Sequence, residues 1–316
     1  MNYIKETRTY TSSNEKSTIT YYTYTPTHKI IGLFQISHGM CEYIERYEHF
    51  IEFLIKKGFL VFGNDHLGYK GSVADDSELG HFPHDSNDTN LVQDIVILSQ
   101  KIKGQYPNLP LFLMGHSMGS FIARLAYAEH SDLYNGLIIC GTGYKIYTQL
   151  YRIAKLLLKT TSIFKSKEYR SPVLDKLVFG KFAKSVEDAE TEQDWICANP
   201  ETVEQYRQDK YCMFSFSASA LQTLLTLCQK ANSKKCFAAT PKEKPILMIS
   251  GQEDHLGGKG KGIDSIEKHL KKQKIVDIQK IIYPEMRHEI LNEIDKQIVF
   301  NDIEQWLQHA LDNLEK

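Results

Sequence analysis

Ser117 stands at the centre of Gly115-His116-Ser117-Met118-Gly119. A serine hydroxyl is a poor nucleophile at neutral pH. It attacks a carbonyl carbon only when a base takes its proton and an acid group orients that base. The chemistry so predicted is acyl transfer through a covalent acyl-enzyme. Two late segments offer the partners. Gly251-Gln252-Glu253-Asp254 closes one apolar run and carries two carboxylates, with Asp254 the better acid candidate and Glu253 the second. Tyr283-Pro284-Glu285-Met286-Arg287-His288 closes the next run and carries His288 as the base. The chain order is serine, acid, histidine, each expected at the end of a strand. The tetrahedral intermediate also needs hydrogen-bond donors for its oxyanion. The N–H of Met118, directly after the serine, is one candidate. The N–H of Met40, in the loop Ser37-His38-Gly39-Met40, is the other.

Such residues act only if the chain holds them. Leu111-Phe112-Leu113-Met114 reads as a buried strand, and Phe121 to Ala128 as a helix. A serine at the tight turn between them is forced to positive φ. The flanking glycines give that bend room, since a Cβ there would meet the neighbouring strand or helix. The hydroxyl then sits at a helix N-terminus, where free N–H groups favour negative charge.

The remaining pattern predicts an α/β fold. Residues 3–11 and 18–25 alternate and form a hairpin around Ser12-Ser13-Asn14. Apolar strands are expected at Ile30–Ile36, Phe59–Phe62, Gly136–Cys140, Pro245–Ser250 and Lys274–Ile282. Helices are expected over 43–57, Leu91–Ile102 and Leu291–Leu314. Strands apolar throughout and alternating with helices imply a mostly parallel central sheet flanked by helices on both faces, with an antiparallel start. Residues 144–240 break the alternation. They read as an inserted helical cap above the sheet edge, which leaves 1–143 and 241–316 as the core.

The chain has 316 residues, 38 basic and 39 acidic, for a net charge of −1. That balance gives no argument for a nucleic-acid partner. No apolar run reaches the roughly 18–20 residues of a membrane-spanning helix. Met1 to Asn14 is polar with no signal-peptide core, so a cytoplasmic location is expected. Six scattered cysteines, with no C-x-x-C pair, read as free thiols. Cys41 is the most consequential, because it follows Met40. Three other patterns fail as ligand sites. Gly257 to Gly262 lacks Walker A spacing and reads as a flexible loop; His288-Glu289 lacks a second histidine at 292; His81 and His84 lack partners nearby. Neither metal nor cofactor is expected. The sequence carries no signal for an oligomeric state.

With these residues in view, the chain resembles the bacterial α/β-hydrolases of the monoacylglycerol lipase and lysophospholipase group, within the serine aminopeptidase-type Hydrolase_4 set. The segments that carry the likeness are H-G-M-C-E with Arg46-Tyr47, D-H-L-G with Ser72, Tyr106-Pro107 before L-P-L-F-L-M-G-H-S-M-G, G-Q-E-D, and Y-P-E-M-R-H-E. They run from about residue 30 to the last helix. The resemblance implies an α/β-hydrolase fold, Ser117, Asp254 and His288 as triad, Met40 and Met118 as oxyanion donors, and a helical cap over an acyl pocket. It implies a small-molecule acyl ester as substrate, monoacylglycerol or lysophospholipid above all. An aminopeptidase on the same scaffold is the alternative, and a catalytically silent binding module a further one. The chain departs from the group's pattern at Tyr69-Lys70, where His-Gly is usual, and at Tyr43, where His is usual.

At the start of the cap, Ile146, Leu150, Ile153, Ala154 and Leu157 recur at helical spacing among Lys145, Arg152, Lys155 and Lys159. This amphipathic segment admits two readings: a stripe packed on the core, or a transient contact with a membrane surface.

Overall fold

β-Branched and aromatic residues set the strands. The structure, a computed structural model, describes residues 3–144 and 166–314. Eight strands form one sheet: β1 (Tyr3–Thr11), β2 (Thr18–Pro26), β3 (Gly32–Ser37), β4 (Phe59–Asn64), β5 (Leu111–His116), β6 (Gly136–Cys140), β7 (Ile246–Gly251) and β8 (Ile278–Tyr283). Their order is β1-β2-β4-β3-β5-β6-β7-β8. β1 pairs antiparallel with β2, and β2 antiparallel with β4; every other pairing is parallel. All residues of β3 to β7 are buried, as expected of parallel strands covered on both faces.

One face is covered by α2 (Asp88–Gln105) and α3 (Met118–Glu129), joined there by the helix Ala218–Ala231. The other is covered by α1 (Glu48–Lys56) and the C-terminal helix Lys296–Leu314. The parallel order places the C-terminal ends of β3, β5, β7 and β8 along one edge. His38, Ser117, Asp254 and His288 follow those four ends.

Some element ends differ from the sequence reading, for local reasons. The helix expected from 43 begins as a 3₁₀ turn, Ile44–Tyr47, because the Ile44 N–H is turned toward Asp65 Oδ1 at 3.2 Å. The last helix begins at Lys296 rather than Leu291. Glu293 accepts instead from the Arg287 N–H at 2.8 Å and the Ala198 N–H at 3.0 Å, which holds the chain in turns. The final strand begins at Ile278, since Lys274 takes a left-handed φ of 63° and turns the chain.

Between β6 and β7 the described residues form the helices Pro172–Ala183, Pro200–Gln208, Ala218–Ala231 and Lys234–Ala239. Asn199, Ser217 and Ser233 cap three of them through side-chain oxygens. Among the described residues of this stretch, β pairing is confined to the single bridge Arg170–Ser217. The amphipathic segment Lys145–Lys159 lies outside the described residues. Among the described residues no helix is long and apolar enough to cross a membrane.

Candidate active site

β5 runs into α3 through Ser117, whose φ is 52° and ψ −118°. This left-handed backbone is held from both sides. The Ser117 N–H donates to Cys140 O on β6 at 3.0 Å, and the Ser120 N–H and Oγ donate to Ser117 O at 3.0 and 2.5 Å. Two glycines permit the bend. A Cβ on Gly119 would lie 2.0 Å from Ser37 O, and one on Gly115 would lie 2.3 Å from Gly119 O. Strand β3, strand β5 and the start of α3 therefore approach more closely than side chains allow.

The residues expected as acid and base come together beside Ser117. His288 Nδ1 lies 3.0 Å from Asp254 Oδ2. Asp254 Oδ1 accepts from the N–H groups of Leu256 and Gly257 at 2.9 and 3.2 Å. The glycine-rich stretch after Asp254 thus anchors the carboxylate. It leads, through Gly260 at φ 83°, into the helix Lys261–Lys272. Burial opposes a charge on Asp254, yet His288 and the Gly257 N–H hold its carboxyl below the usual carboxylate range. An ionised carboxylate only accepts, so His288 Nδ1 must donate and a neutral His288 keeps its lone pair on Nε2. Glu253 points elsewhere: it is exposed and paired with Lys259 at 2.7 Å. Gly251 makes the acid–base contact possible, since a Cβ there would sit 2.1 Å from Met286 O.

Ser117, His288, Met40 and Met118 line one cavity of about 820 Å³. That size suits a small-molecule ligand. Met118 is the first residue of α3, and its N–H lacks an acceptor within the helix. Gly39 packs directly on the serine, where a Cβ would lie 2.9 Å from Ser117 Cβ. The loop carrying Met40 is pinned by His38: Nε2 accepts from the His66 N–H at 3.0 Å, which leaves Nδ1 to donate to Gly39 O at 2.8 Å. From the stretch between β6 and β7, the Trp195 ring lies 5.2 Å from the His288 ring.

Sequence reasoning missed two residues here. Glu42 is buried and accepts from the Gly39 N–H, from Tyr47 Oη at 2.9 Å and from His116 Nδ1 at 2.7 Å. His116 Nε2 lies 3.3 Å from the backbone oxygen of His288. One carboxylate thus braces the Met40 loop, and through His116 the backbone of His288. Burial works against both charges. Each partner overcomes it for the other, so Glu42 is held down at about 2 and His116 up at about 8. The signal was present in H-G-M-C-E and G-H-S, but neither spacing says that the two residues meet.

The serine aminopeptidase S33 family (Hydrolase_4) matches residues 28–295, most of the chain. The chain belongs to this family of α/β-hydrolases. The S33-family chain is 24% identical over 294 residues to a monoacylglycerol lipase of Mycolicibacterium smegmatis, with 92% of each chain covered. It is 33% identical over 114 residues to the human monoglyceride lipase, a match covering 36% of each chain. Among solved structures, a thermostable carboxyl esterase of Bacillus coagulans in complex with glycerol matches with a TM-score of 0.89 and 27% identity, covering 97% of this chain and 99% of that one.

Tyr43 and Lys70, where the resemblance implies other residues, meet each other. Tyr43 Oη donates to Asp209 Oδ2 at 2.5 Å, and Lys70 Nζ sits 3.8 Å over the Tyr43 ring while pairing with Glu45. All six cysteines are free and buried, Cys41 at the cavity wall included. Burial pushes the Cys41 thiol well up, which makes it a poor nucleophile. Among the described residues no group of three His, Cys, Asp or Glu is placed to hold a metal ion.

Proposed function

We propose that the chain is a serine hydrolase of carboxylic esters, with monoacylglycerols and related acyl esters as its substrate class and Ser117, Asp254 and His288 as its triad. The observation that carries this reading is the His288 Nδ1–Asp254 Oδ2 contact of 3.0 Å beside a serine held at φ 52°. Ser117 Oγ attacks the acyl carbon while His288 Nε2 takes its proton. The oxyanion is received by the N–H groups of Met40 and Met118. His288⁺ returns the proton to the departing alcohol, and water then releases the acid by the same steps in reverse. Asp254 holds His288 in the required tautomer and stabilises it when charged.

Residues 144–240 serve as a cap over the acyl pocket. Trp195 over His288 supports this, because a ring there keeps water from the base until substrate enters. The curated relatives named as monoacylglycerol or monoglyceride lipases support an ester rather than a peptide substrate. Six buried free thiols support a reducing, cytoplasmic location. A panel of monoacylglycerols, lysophospholipids, short acyl esters and aminoacyl amides tests the reading. Turnover confined to the esters supports it, and a preference for the amides overturns it in favour of an aminopeptidase.

A further inference from the structure

Tyr69 stands where the resemblance implies histidine, and no step above uses it. It follows Gly68, whose φ of 79° and contact with His81 O admit no side chain. The resulting turn, closed by the Tyr69 N–H to His66 O at 3.0 Å, drives the ring inward until it is completely buried. The ring stands edge-on to His38, 4.9 Å between centroids, and edge-on to Phe214 of the cap at 5.6 Å. It therefore fills the space between the Met40 loop and the cap. Its hydroxyl then has few places to go, and a buried phenol must find partners.

The hydroxyl finds its partner at the start of α3. Tyr69 Oη donates to Met118 Sδ at 3.5 Å. The ring itself rests on His38, which donates to Gly39 O in the Met40 loop at 2.8 Å. Burial keeps the phenol protonated. One side chain thus reaches the residue that supplies one proposed donor through its hydroxyl, and the loop that supplies the other through its ring. A thioether is a weak acceptor, so this link carries little stability of its own. Its effect is geometric.

We propose that Tyr69 is a positioning residue for the oxyanion hole, its hydroxyl holding Met118 and its ring holding His38 of the Met40 loop so that both N–H groups converge on the same oxygen. The proposal rests on the ester-hydrolase reading. Tyr69 does not line the cavity, so it touches no substrate and acts only through its neighbours. Its hydroxyl matters most when the carbonyl oxygen gains charge. Loss of that hydroxyl should therefore lower kcat and leave KM unchanged.

The test compares wild type, Tyr69→Phe, Met118→Leu and the double variant on a p-nitrophenyl acyl ester. Met118→Leu keeps the backbone N–H and removes the sulfur. Each single variant should lose about tenfold in kcat with KM within about twofold, less than the 10²–10³-fold that losing a whole donor costs. The double variant should be no worse than either single one, because both changes break one link. Affinity for a trifluoromethyl ketone should fall in parallel. Ser117 Oγ adds to that carbonyl carbon, the proton passes to His288, and the charged oxygen enters the hole. Wild-type kcat in Tyr69→Phe, or additive losses in the double variant, overturns the proposal. If Tyr69→Phe melts far below wild type, Met118→Leu alone decides: it keeps Tyr69 and must show the same kcat-only loss. A wild-type protein that hydrolyses no ester and forms no ketone adduct instead overturns the ester-hydrolase reading, and this proposal with it.

Discussion

His116 Nδ1 and Glu42 Oε1 lie 2.7 Å apart, both buried, one residue before Ser117 and three residues after Gly39. The pair joins the elbow to the Met40 loop, and its charge state gives a pH signature. Against burial, Glu42 raises His116 from the usual 6.5 to about 8, so its stabilisation is complete below about pH 6.5 and lost as pH rises through about 8. Glu42 is depressed to about 2, so its share is complete above about pH 4.5 and lost only as pH falls through about 2. Between pH 6.5 and 9, wild type should lose roughly 2 kcal/mol more stability than His116→Gln. Urea unfolding of both proteins at the two pH values measures it, and equal losses would refute the assignment.

Gly119→Ala should destabilise the fold by about 3 kcal/mol or more, since the new Cβ meets two backbone oxygens that have nowhere to move. Gly104, near the end of α2, has nothing within 4 Å of a Cβ. There Gly104→Ala should instead stabilise by about 0.5 kcal/mol, through helix propensity alone. Thermal melts of the two variants should move in opposite directions.

Asp254→Asn should retain the fold and lose roughly 10⁴-fold in kcat, because an amide permits the wrong histidine tautomer. Glu253→Gln removes only an exposed partner of Lys259 and should leave kcat within about twofold. A large loss in Glu253→Gln with little in Asp254→Asn would reverse the acid assignment.

Rapid thiol titration of the native protein should find almost no reactive cysteine, and all six after denaturation. Cys41→Ser should leave maleimide sensitivity unchanged. Fast native labelling at Cys41 with loss of activity would show that the cavity wall opens.

The fold was legible because its strands carry unbroken apolar runs that suit burial on both faces, and because Gly115 and Gly119 flank a serine between strand and helix. Asp254 and His288 were legible for a similar reason: each follows an apolar run, in the chain order an elbow serine needs. Other features depend on contacts across the fold that spacing does not encode. Glu42 meets His116 only because β3 and β5 are neighbours. The start of the last helix is set by Glu293, which turns to the Ala198 and Arg287 N–H groups rather than continuing the helix. The glycine run at 257–262 read as a flexible loop, and the N–H of Gly257 proves to anchor Asp254.

The central claim is that Ser117 is the nucleophile, and covalent capture tests it most directly. Wild type incubated with a fluorophosphonate should gain the mass of one reagent molecule less HF, the fluoride leaving phosphorus as the serine proton is lost, and peptide mapping should place it on Ser117. Ser117→Ala should gain none and should lose up to about 10⁶-fold in kcat on the best ester. A wild-type protein left unmodified, or a Ser117→Ala protein that still labels and turns over, would contradict the account.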